Sequence, residues 1–169
     1  LVRVERNRYS VPADFAGKVV SVRLYADKVR IVAESKVIAD HERRFGRDQL
    51  ICDPWHYLPV LEKKPGSLRN GAPFIGWALP VPIQLVRDRV LKQPKGDRAF
   101  VELLLAAREV GLEALQVACE LTLDGGVITA AVVMNELRRL TAPPQPKAIS
   151  LPEQLRLQVE PQADCSRYD

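Results

Sequence analysis

Between residues 53 and 80 the chain carries Pro54, Pro59, Pro65, Pro73 and Pro80 together with Gly66, Gly71 and Gly76, and no long helix or strand can run through such a stretch. Each proline removes a backbone donor, and each glycine weakens regular structure by losing more conformational freedom on folding. The fold must therefore be built on either side. The same stretch holds Trp55, Tyr57, Leu58, Leu61, Phe74 and Trp77, which are too apolar for a solvated linker. It is predicted to be an ordered connector packed along other surfaces.

Before the connector the apolar residues alternate with period two, the signature of half-buried strands. In residues 19–26, Val20, Val22 and Leu24 share one face while Ser21, Arg23 and Tyr25 share the other. Val29, Ile31 and Ala33 oppose Arg30, Val32 and Glu34 in the next run, and a third covers residues 36–41. Asp27 and the Glu34-Ser35 pair lie in the breaks, so consecutive antiparallel hairpins are the economical connection. With short runs at residues 2–4 and 9–11 this makes about five strands, the usual content of a small barrel that closes to protect its edges.

After the connector the spacing turns helical. Pro82 suits a first turn, and Ile83, Val86 and Val90 follow at i, i+3 and i+7. Asp97 is the expected N-cap of a second helix that buries Phe100, Leu103, Leu104 and Ala107 and ends at Gly111. A third helix over residues 112–123 stops at Gly125-Gly126, and a fourth over 129–140 places Val133, Leu137 and Leu140 on one face. Pro143, Pro144 and Pro146 then stiffen a tail with one apolar run at residues 151–159. The chain is expected to be α+β: a small antiparallel β-barrel over residues 1–52, the connector over 53–80, a small helical bundle over 81–142 and an extended tail over 143–169.

Charge is unevenly placed. Residues 1–70 carry 14 Lys/Arg against 9 Asp/Glu, and residues 71–169 carry 11 against 12, so the basic excess and any polyanion partner belong to the first part. Arg23, Tyr25 and Arg30 project from the polar sides of neighbouring strands, Arg43, Arg44 and Arg47 follow the third run, and Lys63, Lys64 and Arg69 flank the turn at Pro65-Gly66. Such donors could track a phosphate backbone; a solvated strand face would look the same.

The chemistry of an enzyme is hard to assemble. No phosphate loop, dinucleotide fingerprint, HExxH or GxSxG occurs, and Cys52, Cys119 and Cys165 have neither zinc spacing nor an even count. His41 and His56 suit packed or hydrogen-bonded roles, and the carboxylates of the first part, interspersed with basic residues, do not converge as two-metal catalysis requires. No catalytic residue, metal or cofactor is expected within the chain. A run of about 18 apolar residues is also missing, so no membrane partner is expected and the chain reads as cytoplasmic.

Residues 7–12 (NRYSVP), Gly17-Lys18, 22–27 (VRLYAD), 38–43 (IADHER), 56–74 (HYLPVLEKKPGSLRNGAPF) and the ending 163–169 (ADCSRYD) together resemble the carboxy-terminal region of IstA-like insertion-sequence transposases. The resemblance implies a retroviral-integrase-superfamily protein in which the chain starts at an SH3-like barrel of the Mu-transposase type. A magnesium-dependent DDE catalytic domain would lie upstream, with none of its carboxylates matched here. It further implies DNA ends, other transposase subunits and an AAA+ helper ATPase as partners, in the bacterial nucleoid during transposition. Arg23, Arg30, Arg43, Arg44, Lys63, Lys64 and Arg69 are the expected DNA contacts, because their charges cluster on the most similar elements. The main alternative is a protein-interaction module for multimerisation or for the ATPase, with the barrel a passive spacer.

Overall fold

The computed structural model describes residues 1–143, so the expected tail, its apolar run and Cys165 lie outside the described residues. Among the described residues the architecture is α+β, with six strands leading six helices. Strands β1 (Val2–Val4) and β2 (Asn7–Tyr9) form an antiparallel hairpin, and β6 (Leu50–Ile51) adds to β2 in parallel. A second sheet holds β3 (Ser21–Leu24), β4 (Lys28–Ala33) and β5 (Lys36–Glu42), antiparallel throughout in the order β3-β4-β5. Among the described residues the ladders form these two three-stranded sheets and do not run on into a closed barrel. Both sheets nevertheless face one core of Tyr9, Val11, Val29, Ile31 and Ala39, supported by Val2, Val4, Val20, Ile38 and Ile51.

Alternation predicts the first half of β4, where Val29 and Ile31 are buried and Arg30 is half-buried, but it breaks at the register shift after Ile31, beyond which Val32 is buried together with Ala33. It fails for β3, where Val22 and Leu24 face the core side but remain 38% and 43% exposed. The cause is position, because β3 is an edge strand and little packs over its end of the sheet. Both tight hairpins use two-residue turns with positive φ at both positions, Glu5-Arg6 (48° and 67°) and Glu34-Ser35 (49° and 63°). That pair of signs matches the right-handed twist of the flanking strands, though glycine or asparagine usually supplies it. A register shift between Ile31 and Val32 leaves Ile38 as the extra residue of β5 and turns it toward the core.

The connector is structured. Asp53 caps a 3-10 turn over Pro54–Tyr57 by accepting the Trp55 N–H, and two short helices follow, α1 (Leu58–Lys63) and α2 (Ser67–Asn70). Pro59 is tolerated because it falls in the first turn of α1, where its missing N–H would have had no partner. Leu58, Leu61, Leu68, Phe74 and Leu79 are buried in the same cluster as the long helices α3 (Val81–Val90), α4 (Gly96–Val110), α5 (Leu112–Asp124) and α6 (Ala130–Thr141). Trp55 and Trp77 meet edge to face at 5.2 Å beside it, a favoured aromatic geometry.

Asp97 is not the cap of its helix. α4 begins one residue earlier at Gly96, after Lys95 in the left-handed region, and the Asp97 carboxylate instead accepts from Arg69 Nε at 2.7 Å. Gly96 is required there, since a β-carbon would collide with the Val90 carbonyl oxygen. Thr129 does cap α6, accepting the Val132 N–H at 3.3 Å, while Leu140 stays 43% exposed instead of joining Val133 and Leu137. No helix among the described residues is long and apolar enough to cross a membrane.

Candidate nucleic-acid interface

The loop over residues 43–49 and the tip of the β1-β2 hairpin enclose an open cleft of about 320 Å³, lined by Glu5, Arg6, Arg43, Arg44, Phe45, Gly46 and Arg47. Its shape is set from beneath by Asn7 and Tyr9, both buried on β2. The Asn7 amide donates to the carbonyls of Arg44 (2.7 Å) and Gly46 (2.9 Å) and accepts the Gln49 N–H (3.0 Å). Tyr9 Oη accepts the Arg44 N–H at 3.1 Å. Backbone bonds from Asp48 N to Arg6 O and from Arg8 N to Gln49 O close the loop onto the hairpin. A buried amide used this way satisfies three backbone groups at once and holds a polar loop in one conformation.

The arginines of the cleft differ in how free they are. Arg43 grips Glu5 with two nitrogens (3.1 and 2.9 Å), donates to the Tyr25 carbonyl (2.9 Å) and lies 4.9 Å from the centre of the Phe45 ring. Arg44 pairs with Glu42 at 2.9 Å, but both side chains are more than half exposed, so the pair holds weakly. Arg6 and Arg47 have no carboxylate partner among the described residues. Sequence reasoning missed Arg6 and Phe45. The signal for Arg6 was its place in a two-residue gap between strand-like runs; for Phe45, a lone aromatic inside an arginine cluster.

The other expected contacts occupy two further places. On the second sheet, Arg23, Arg30 and Asp40 stand opposite one another across β3, β4 and β5. Arg30 donates to Asp40 at 2.7 and 3.1 Å, and this hydrogen bond holds the exposed Asp40 carboxyl below its ordinary value. Without Asp40, two like charges directly opposite would repel. Tyr25 lies beside this row, its ring centre 5.7 Å from both Lys28 and Arg30. On the helical side, Lys63 and Lys64 sit exposed at the carboxy-terminal end of α1, where the helix dipole favours them. Arg69 donates to Asp97 and to the Leu91 carbonyl, tying α2 to the α3-α4 junction.

The two histidines meet between the cores. His41 Nε2 donates to the Ser10 carbonyl at 2.7 Å; Ser10 Oγ accepts the Asp53 N–H at 2.8 Å and lies 2.8 Å from His56 Nδ1. Asp53 Oδ2 is 3.7 Å from His56 Nε2. Burial pushes the His56 imidazole below its ordinary value, partly opposed by the Asp53 carboxylate. Serine, histidine and aspartate thus converge, yet Ser10 is fully buried with its hydroxyl engaged by both neighbours, so no substrate carbonyl can approach it. The cluster is a joint between the sheets and the connector. Among the described residues, no three His, Cys, Asp or Glu side chains gather as a metal site.

Residues 1–53, which span both sheets and end at the Asp53 cap, match the family described as Mu transposase, C-terminal domain. Over its whole length the chain is 46% identical to the transposase for insertion sequences IS1326/IS1353 of Pseudomonas aeruginosa, and equally to that of Shigella flexneri. Over its whole length the chain is thus similar in sequence to insertion-sequence transposases. A transposase of Aminobacter aminovorans is 40% identical over the whole of it. The chain spans about a third (34%) of the length of each of these relatives. No solved structure matches it significantly.

Proposed function

We propose that the chain is a transposase segment that grips transposon-end DNA and supports assembly of the synaptic complex, without carrying out strand chemistry itself. The observation that supports it best is the open cleft with Arg6, Arg44 and Arg47 around a loop pinned by Asn7. In this reading the two sheets around one core are an open form of the SH3-like barrel of Mu-type transposases, and Arg23, Arg30, Arg43, Arg44, Lys63, Lys64 and Arg69 contact phosphates. They contribute unequally: Arg30, Arg43 and Arg69 are engaged by Asp40, Glu5 and Asp97 and must share their charge, whereas Arg23, Arg44, Lys63 and Lys64 are exposed. The DDE active site and its magnesium belong to another part of the protein, and other transposase subunits and an AAA+ helper ATPase are its protein partners in the nucleoid.

The test is binding of the chain to a transposon-end duplex and to a scrambled duplex, each titrated with salt. The log-log slope should approach about 0.9 per phosphate neutralised and fall by about 1 for each contacting arginine removed. Arg44→Ala with Arg47→Ala should therefore flatten it by about 2, and an unchanged slope would reduce the cleft to a solvated surface. Preference for the end would make the segment a recognition element; equal binding would make it a backbone clamp. If neither duplex binds at low salt, the DNA reading fails and the interaction module stands in its place.

A further inference from the structure

We infer that the cleft takes an unpaired base, stacked on Phe45, with the neighbouring phosphates held by Arg6, Arg44 and Arg47. The inference deepens the DNA-binding reading and rests on it. Single exposed apolar residues are ordinary on protein surfaces, so the 77% exposure of Phe45 says little alone. Its mounting says more. The loop that carries it is fixed at Arg44, Gly46 and Gln49 by the buried Asn7 amide, so the ring cannot readily fold back onto the protein.

One face of the ring meets the Arg43 guanidinium, which Glu5 and the Tyr25 carbonyl hold from behind. At 77% exposure the rest of the ring is open to solvent. A rigid ring with one free face and flanking cations is the arrangement by which proteins bind single strands, since every base offers a π-face and every nucleotide a phosphate. Paired bases inside a duplex already stack on their neighbours and have no face to give. The ligand is therefore a single-stranded stretch of DNA, such as the frayed or cut flank beside a duplex end. The cleft volume of about 320 Å³ falls at the lower end of the range for small-ligand pockets, which suits one nucleotide better than a groove-spanning contact.

The experiment compares a blunt duplex with the same duplex carrying a short overhang that has 2-aminopurine at its first unpaired position. Wild type should bind the overhang more tightly and change the probe's fluorescence. Phe45→Ala should lose about 5- to 150-fold in overhang affinity, with blunt-duplex affinity and salt slope unchanged. Phe45→Trp should keep the preference and quench the probe. Thermal melting of Phe45→Ala should match wild type, because the ring packs on little but Arg43. Equal losses on both DNAs would mean a wedge into intact duplex and overturn the inference, as would binding of both DNAs with no effect of Phe45→Ala. If wild type binds neither DNA, the underlying DNA reading fails first.

Discussion

Replacing Asn7 with alanine tests whether one buried amide builds the cleft. The substitution removes three hydrogen bonds at once: the donations to the Arg44 and Gly46 carbonyls and the acceptance from the Gln49 N–H. A buried intramolecular bond contributes about 1 kcal/mol net, so the loss should come to about 3 kcal/mol. Water reaches the freed groups in part, because Arg44 and Gln49 are exposed, and that relief sets a floor of about 1.5 kcal/mol. For a domain of this size the melting temperature should fall by roughly 3–12 °C. Asn7→Asp should do at least as much damage, since it keeps the Gln49 contact but turns an anionic oxygen toward two carbonyls. Thermal melting gives the global cost, and hydrogen exchange at the Gln49 amide gives the local one. A loss below about 0.5 kcal/mol with unchanged Gln49 protection would refute the idea that Asn7 holds the loop, even if DNA binding were intact.

Two further outcomes follow from the same geometry. Because burial depresses the His56 imidazole, the unfolded chain binds a proton that the folded chain resists. His56 thus contributes stability above its unfolded value of about 6.5, and that contribution drains away as pH falls from there toward the lower folded value. Urea midpoints of wild type should decline across that window while those of His56→Gln stay flatter, and parallel profiles would clear His56 of the effect. In the β4-β5 turn, Ser35→Gly should stabilise by about 0.5 kcal/mol, the relief of a left-handed serine less the added freedom of the unfolded chain. A lower melting temperature for that variant would show that the turn is not strained.

The parts legible in the sequence were those governed by local periodicity. Ile83, Val86 and Val90 announce α3, and Val29 with Ile31 announces β4, because the spacing of apolar residues within one element is enough. Elements held by distant partners were not legible. β6 is two residues long and exists through its pairing with Arg8 and Tyr9, and α1 and α2 hide in a stretch whose prolines fall at helix starts and turns. The site divides the same way. Basic clustering drew attention to Arg43 and Arg44, but the bonds that shape their loop come from Asn7, which lies 37, 39 and 42 positions before its three partners. Charge counting likewise treats Arg30, Arg43 and Arg69 as free, where Asp40, Glu5 and Asp97 already answer them.

The junction at Ser10 bears on how such proteins can be cut and recombined. The family match stops at residue 53, as if a self-contained module ended there. Yet the Ser10 hydroxyl is capped by the Asp53 amide and the His56 ring, and Asp14 reaches Arg108 of α4 at 3.8 Å. A chain severed at that border would bare a buried hydroxyl and strip His41 of the ring stacked edge-on against it at 5.6 Å. The inherited unit and the cooperative unit therefore differ, and grafting the sheets onto a new host means carrying the first turns of the connector along with them.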